Sequence, residues 1–310
     1  MEKIPIIVIG GPTASGKTAL SIALAKKYGG RIISADSMQL YRRMDIGSAK
    51  PTMEERAGIR HELMDFAEPT ENFSVADYVR AAHQCIADAQ KSGELPIVVG
   101  GTGLYINSLV DDIEFQEVAS DPKLRRMLTE AAERDGGAAL YRELQRIDPE
   151  AAEKIQPQNL RRVVRAVEVF RLTGKTITEQ QRESRARPSR YKPLMMAILW
   201  DRSVLYERIN QRVDQMVSEG LFCETESLIR EGCTRDMTSM QGIGYKQYFD
   251  YRRGLCTREE TIRLIKRDSR RYAKRQMTWF RRDPRMHWLD AEKEPIREAE
   301  RLCDEFLEII

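Results

Sequence analysis

The chain opens on an unbroken apolar run, Ile4 to Ile9 (IPIIVI). Glycines follow, and then apolar residues at helical spacing, Ala19-Leu20-Ser21-Ile22-Ala23-Leu24-Ala25. A run without polar alternation predicts a strand buried on both faces, and the spacing after it predicts a helix. The pattern then repeats. Arg31-Ile32-Ile33-Ser34-Ala35 predicts a second short strand that ends at Asp36. Ser74-Val75-Ala76-Asp77 has the form of a capping box with Asp in place of Glu, and opens a helix to about Lys91. Leu95-Pro96-Ile97-Val98-Val99 predicts a third strand, closed by Gly100-Gly101-Thr102-Gly103. Strands alternating with helices indicate a parallel sheet covered on its faces, with ligands beyond the carboxyl ends of the strands.

From about Phe115 the strand signals stop. Helices are predicted over Asp121 to Arg134, Ala138 to Ile147 and Asn159 to Leu172, with Asp148-Pro149 and Gln156-Pro157 between them. A strand returns at Leu194 to Trp200. Asp201 then caps a helix with Leu205, Ile209, Val213 and Met216 on one face. The expected organisation is an α/β core, residues 1–115 and 189–310, interrupted by an all-helical insertion over 116–188.

The turn after the first strand carries chemistry. Gly11-Pro12-Thr13-Ala14-Ser15-Gly16-Lys17-Thr18 matches the phosphate-loop pattern G-x-x-x-x-G-K-[ST], with a strand before it and a helix after it. Glycines let successive N–H groups and a helix N-terminus approach an anion. Lys17 adds a full charge, and the Thr18 hydroxyl suits a Mg²⁺ bridging phosphates. The predicted fold is therefore a P-loop NTPase-like parallel sheet flanked by helices. The loop specifies a phosphate or diphosphate ligand, not which group is transferred.

Asp36 and Thr102 fall just past the ends of the other two strands, so three polar features converge on one crevice. Asp36 there is suited to holding Mg²⁺ through water or to acting as a general base, with capping of the next turn as the alternative. Thr102 is placed to stabilise a developing oxyanion, while its flanking glycines also fit a tight helix entry. The three histidines, His61, His83 and His287, lack metal-ligand spacing and read as ordinary polar or core residues.

Charge adds a partner. The net +3 conceals −3 over residues 1–115, +11 over 116–282 and −5 over 283–310. The basic block concentrates in Arg161 to Lys192 and in the predicted helix Thr257 to Arg282, interleaved with Tyr191, Tyr272, Trp279 and Phe280. One such run is usually a solvated face; two in one block suggest a nucleic acid, with Trp279 and Phe280 read as packing residues. The five cysteines contain no C-x-x-C pair, against zinc and a disulfide framework and for a reduced, cytoplasmic setting. No apolar stretch approaches the roughly 20 residues of a membrane span.

GPTASGKT, SADSMQLY, DIGSAKP (Asp45 to Pro51), FSVADY (Phe73 to Tyr78), VGGTGLY (Val99 to Tyr105), GIGYKQ (Gly242 to Gln247) and YAKRQMTWFRR (Tyr272 to Arg282) occur in that order. This series, covering nearly the whole chain, resembles the bacterial tRNA dimethylallyltransferases, also called tRNA isopentenyltransferases. The resemblance implies transfer of a dimethylallyl group from dimethylallyl diphosphate to N6 of adenosine 37, beside the anticodon of tRNA. It implies that Gly11 to Thr18 hold the leaving diphosphate, with Lys17 and a Thr18-bound Mg²⁺ neutralising its charge. It makes Asp36 the general base and puts Thr102 near the bridging oxygen. The tRNA contacts it implies are Asp36, Ser37, Met38 and Gln39, Thr102, Arg125, and Arg161, Arg162, Val163, Val164 and Arg165 in the insertion. Two positions depart from the family: Arg161 replaces the Gln of Q-R-x-x-R, and Gln241 stands where some relatives have an Arg for the diphosphate. The expected partners are the tRNA anticodon stem-loop and dimethylallyl diphosphate, with no membrane, and the expected state is a monomer. A P-loop kinase of a small metabolite explains the first hundred residues equally well but gives the basic block no task. An isopentenyltransferase of free adenine nucleotides shares the early motifs only.

Overall fold

Apolar runs set the sheet. In a computed structural model, which describes residues 3–113, 115 and 121–308, six parallel strands pair in the order β3-β2-β4-β1-β5-β6 among the described residues. They are β1 (Ile4–Gly10), β2 (Gly30–Ser34), β3 (His61–Glu62), β4 (Leu95–Val99), β5 (Tyr191–Leu199) and β6 (Met286–Asp290). Ile6 to Ile9 are fully buried because β1 is central, between β4 and β5. Its side chains alternate between two cores. Ile6 and Val8 join Ile33 and Val98 on one face, and Ile7 and Ile9 join Ile32 and Ile97 on the other.

Helices α1 (Lys17–Tyr28), α2 (Met53–Arg56), α3 (Val75–Lys91) and α4 (Gly103–Val110) follow the first strands. The capping box at Ser74 and Asp77 starts α3. The chain divides into two compact units, Met1–Val110 with Arg190–Ile310, and Asp111–Ser189. The second holds α5 (Pro122–Arg134), α6 (Ala138–Ile147), α7 (Pro149–Lys154), α8 (Leu160–Thr173) and α9 (Ile177–Arg185) around its own core, including Leu128, Leu144, Val163 and Val167. The expected start of the insertion, residue 116, lies outside the described residues, as do the outer bounds 1 and 310. Back in the first unit come α10 (Arg202–Glu219), α11 (Leu221–Arg230), α12 (Tyr245–Arg252), α13 (Arg258–Phe280) and α14 (Pro295–Glu308). None of the described helices is long and apolar enough to cross a membrane.

Several elements escape the hydrophobic pattern, three of them for evident physical reasons, and one predicted strand starts earlier than expected. Strand β3 is two residues at a sheet edge, and β6 (MHWLD) is another edge with a polar face. Helix α7 starts at Asp148-Pro149, read from sequence as a break; Asp148 is instead its N-cap, with proline at the first position where no N–H is needed. Strand β5 begins at Tyr191, before Pro193, since β6 pairs with it only from Met195 onward. A residue without an N–H is tolerated in that stretch.

Candidate active site

The strand order puts the carboxyl ends of β2, β4 and β1 side by side, and the three sequence features meet there. The loop Gly11 to Thr18 wraps back on the start of α1. Gly11 and Gly16 have φ of 132° and 97°, and Ala14 takes a left-handed φ of 61°. That strain in a non-glycine residue needs outside support, and α10 gives it. Arg208 Nε donates to the Ala14 carbonyl at 2.9 Å while its guanidinium lies 4.4 Å from the Trp200 ring centroid. Trp200 Nε1 donates to the Ser15 carbonyl at 2.9 Å. Inside the loop the Ser15 hydroxyl is buried without a hydrogen-bond partner. An orphan hydroxyl in a cradle of N–H groups suits a phosphate oxygen.

Lys17 Nζ donates to the Pro12 carbonyl at 2.6 Å. Burial pushes its ammonium down to about 8, opposed by the Asp36 carboxylate and aided by Arg212. Lys17, Asp36 and Arg212 thus share one electrostatic environment. An arriving diphosphate would favour the charged lysine.

Asp36 Oδ1 accepts the Met38 and Gln39 N–H groups at 2.9 and 3.4 Å, the capping arrangement weighed from sequence. That bonding occupies one oxygen and fixes the carboxylate at the strand end; it does not conflict with proton transfer at Oδ2. Thr102 Oγ1 accepts the Ser37 N–H at 3.0 Å and lies 3.2 Å from the Ser37 hydroxyl. The Tyr272 phenol also bonds the Thr102 side chain. Burial, joined by the Asp36 charge, raises that phenol to about 12. Gln39 Nε2 is bound to the Ser48 and Ala49 carbonyls at 3.3 and 3.2 Å.

The glycines around Thr102 serve close approach. A Cβ on Gly100 would lie 2.1 Å from the Ala35 carbonyl oxygen, one on Gly101 2.2 Å from Gln276 Nε2, and one on Gly103 2.2 Å from Trp279 Cδ1. Gln276 and Trp279, with Tyr272 and Phe280, form one face of α13 pressed on the strand ends. Gln276 ties the two loops together, donating to the Gly101 carbonyl at 2.8 Å and accepting the Thr13 N–H at 3.3 Å. YAKRQMTWFRR is therefore the packing face of the site as well as a basic run. Phe280 is fully buried, in keeping with its reading as a packing residue.

Tyr272 was noted in the sequence only as an aromatic within a basic run, and Arg212, Arg208 and Gln276 were missed. Helical periodicity marks each only as a polar position. The Gln241 side-chain amide is committed to the Arg235 carbonyl. A cation reaches the crevice from α10 instead.

In the helical unit the expected tRNA residues separate into three groups. Val163 and Val164 are buried in its core, so their side chains pack and do not face a ligand. Arg125 and Arg165 close on the fully buried Glu168: Arg125 binds it bidentately at 3.0 and 3.1 Å, and Arg165 Nη1 at 2.9 Å. Arg161 and Arg162 are exposed on α8.

Sheet order, loop and gathered cations define a P-loop α/β protein with a crevice chemically suited to a phosphate or diphosphate. Comparison narrows the class. Residues 39–283 match the family described as IPP transferase. The chain is 48% identical to the tRNA dimethylallyltransferase of Acetivibrio thermocellus over 93% of this chain and 92% of that protein. Against the tRNA dimethylallyltransferase of Carboxydothermus hydrogenoformans it is 47% identical over 94% and 93%. The crystal structure of the full-length tRNA isopentenylpyrophosphate transferase from Bacillus halodurans superposes with a TM-score of 0.74 at 43% identity, covering 99% of this chain and 97% of that one. A eukaryotic dimethylallyltransferase acting on tRNA gives 0.86 at 28% identity, over 98% of this chain and 80% of that one. The chain belongs to the IPP transferase family.

Proposed function

We propose that the protein transfers the dimethylallyl group of dimethylallyl diphosphate to N6 of adenosine 37 of tRNA and releases diphosphate. The observation that carries this reading is the crevice itself: a P-loop with a buried unpartnered Ser15 hydroxyl, flanked by Lys17 and Arg212 and faced by Asp36.

In the reaction the C1–O bond to diphosphate breaks and its electron pair leaves with the oxygen. The N6 lone pair forms the new bond to C1. An allylic cation-like transition state needs charge stabilised on the departing diphosphate, which the loop N–H groups, Lys17 and Arg212 supply electrostatically. The exocyclic amine is a weak nucleophile, so Asp36 takes its proton through the oxygen not used in capping. Thr102 sits beside Ser37 to orient the diphosphate side of the reacting pair. Among the described residues no three His, Cys, Asp or Glu side chains form a metal cluster. A Mg²⁺ would be held by the Thr18 hydroxyl and phosphate oxygens, a donor set that suits this ion, and would supply further charge neutralisation. A loop base is accessible because single-stranded anticodon residues splay out of the stack. The exposed Arg161 and Arg162 serve the tRNA backbone, with the helical unit as the gripping domain. We assign the protein to the cytoplasm as a monomer.

The test is incubation with unmodified tRNA and labelled dimethylallyl diphosphate, alongside ATP and free adenosine monophosphate as alternative substrates. Label in tRNA at N6 of adenosine 37 is expected. Phosphoryl transfer from ATP at catalytic rates would replace this reading with a kinase, and labelling of the free nucleotide alone would replace it with a nucleotide prenyltransferase.

A further inference from the structure

Glu224, on α11, touches neither the P-loop nor Asp36, yet it collects an unusual set of donors. Its Oε2 accepts the N–H groups of Asp45 and Ile46, both at 2.8 Å, and its Oε1 accepts that of Gly47 at 3.0 Å. The Tyr245 hydroxyl donates to Oε1 at 2.7 Å. Successive N–H groups aimed at one point form an anion-binding concavity. Here the chain fills it with its own carboxylate. Tyr245 lies over Gly47 so closely that a Cβ there would be 2.5 Å from the ring.

The segment so held runs to Ala49, in a left-handed conformation with φ of 51°. The Ala49 carbonyl accepts Arg212 Nη2 at 3.1 Å and Gln39 Nε2 at 3.2 Å. Next to it the buried Lys50 donates to the Tyr41 carbonyl at 2.8 Å and to Asp45 and Asp65, each at 2.6 Å. Lys50 fixes the back of the loop and Glu224 fixes its front. Between them a single carbonyl orients one cation of the crevice and the glutamine beside Asp36.

We propose that Glu224 is a positioning residue for the diphosphate site, acting through residues 45–49 to hold Arg212 at the P-loop. This rests on the reading that the crevice binds the diphosphate of dimethylallyl diphosphate. Glu224→Gln replaces one acceptor oxygen with an NH₂ group, which faces N–H or O–H donors and cannot accept them. Glu224→Asp keeps the charge but is one methylene shorter, so it reaches fewer of the donors.

Both variants are prepared in the full chain. Affinity for inorganic diphosphate is measured by calorimetry, and KM and kcat with dimethylallyl diphosphate at saturating tRNA. For Glu224→Gln the diphosphate Kd and the KM should both rise about tenfold, the worth of one charge-assisted hydrogen bond. kcat should stay within about threefold, because the reacting groups remain. Glu224→Asp should fall between this variant and wild type. Wild-type diphosphate affinity and KM in Glu224→Gln, with or without a lowered melting temperature, would overturn the proposal by making Glu224 merely structural. Should that variant not fold, Glu224→Asp carries the same test, and unchanged affinity and KM in it overturn the proposal equally. Wild-type protein that binds no diphosphate would instead remove the functional reading beneath it.

Discussion

Asp36 has two separable jobs. Oδ1 holds the turn at Met38 and Gln39, and the other oxygen is left for chemistry. Asp36→Asn keeps an acceptor for the turn and removes the base. Single-turnover rates at saturating tRNA should therefore fall about 10²–10⁴-fold while tRNA affinity holds. A rate within threefold of wild type would take Asp36 out of the base role. Lys17 predicts a pH dependence. Its pKa, lowered by burial to about 8, leaves it charged at neutral pH and neutral as pH rises through that value. The kcat/KM for dimethylallyl diphosphate, which reports the free enzyme, should fall on the alkaline side near pH 8. In the kcat profile that limb should move to higher pH, because bound diphosphate favours the ammonium. A flat kcat/KM profile from pH 7 to 10 would contradict it.

At the scale of elements, glycine positions report how tightly α13 and the strand ends are pressed together. Gly100 faces the Ala35 backbone, which cannot yield, whereas Gly103 faces the partly exposed Trp279, which can turn outward. Gly100→Ala should cost about 1–3 kcal/mol or more by urea unfolding, and Gly103→Ala distinctly less. Equal costs would mean that Trp279 is fixed. In the helical unit, removing Arg125 and Arg165 together strands the buried Glu168 and should cost about 3–5 kcal/mol. Glu168→Gln should cost less, since both guanidiniums are half-exposed and reach water. The same scale explains what the sequence could reveal. The P-loop, Asp36 and Thr102 were legible because each ends an apolar run in one continuous stretch. Gln276 was not: it contacts Thr13 from the far end of the chain, and nothing in a single-sequence pattern marks which helix face meets which loop. Spacing alone permits the pair of Arg165 with Glu168, three residues apart on one helix. The partnership of Arg125 with Glu168 crosses between helices, so no spacing within one helix marks it. The short edge strands β3 and β6 escaped for want of length and hydrophobic contrast.

For the whole molecule, the +11 of residues 116–282 predicts strong salt dependence of tRNA binding. Arg161→Ala and Arg162→Ala should leave stability unchanged and flatten the log-affinity against log-salt slope by about 0.7–0.9 for each phosphate they no longer neutralise. A wild-type slope in the double variant would move the tRNA-binding role to other cations. The sheet order has a consequence of a different kind, in the life of the chain before it is an enzyme. β1 is the first strand made, yet its neighbour β5 begins at Tyr191. At about 5–20 residues per second, the nascent strand waits roughly 10–40 s with one apolar edge unpaired. Such an edge is a template for pairing with another chain. Ribosome-arrested chains ending near residue 110 should thus be protease-sensitive and chaperone-bound, with resistance appearing only once Leu199 has cleared the exit tunnel. Because the helical unit is encoded between the two halves of the sheet, its length adds to the duration of that exposure.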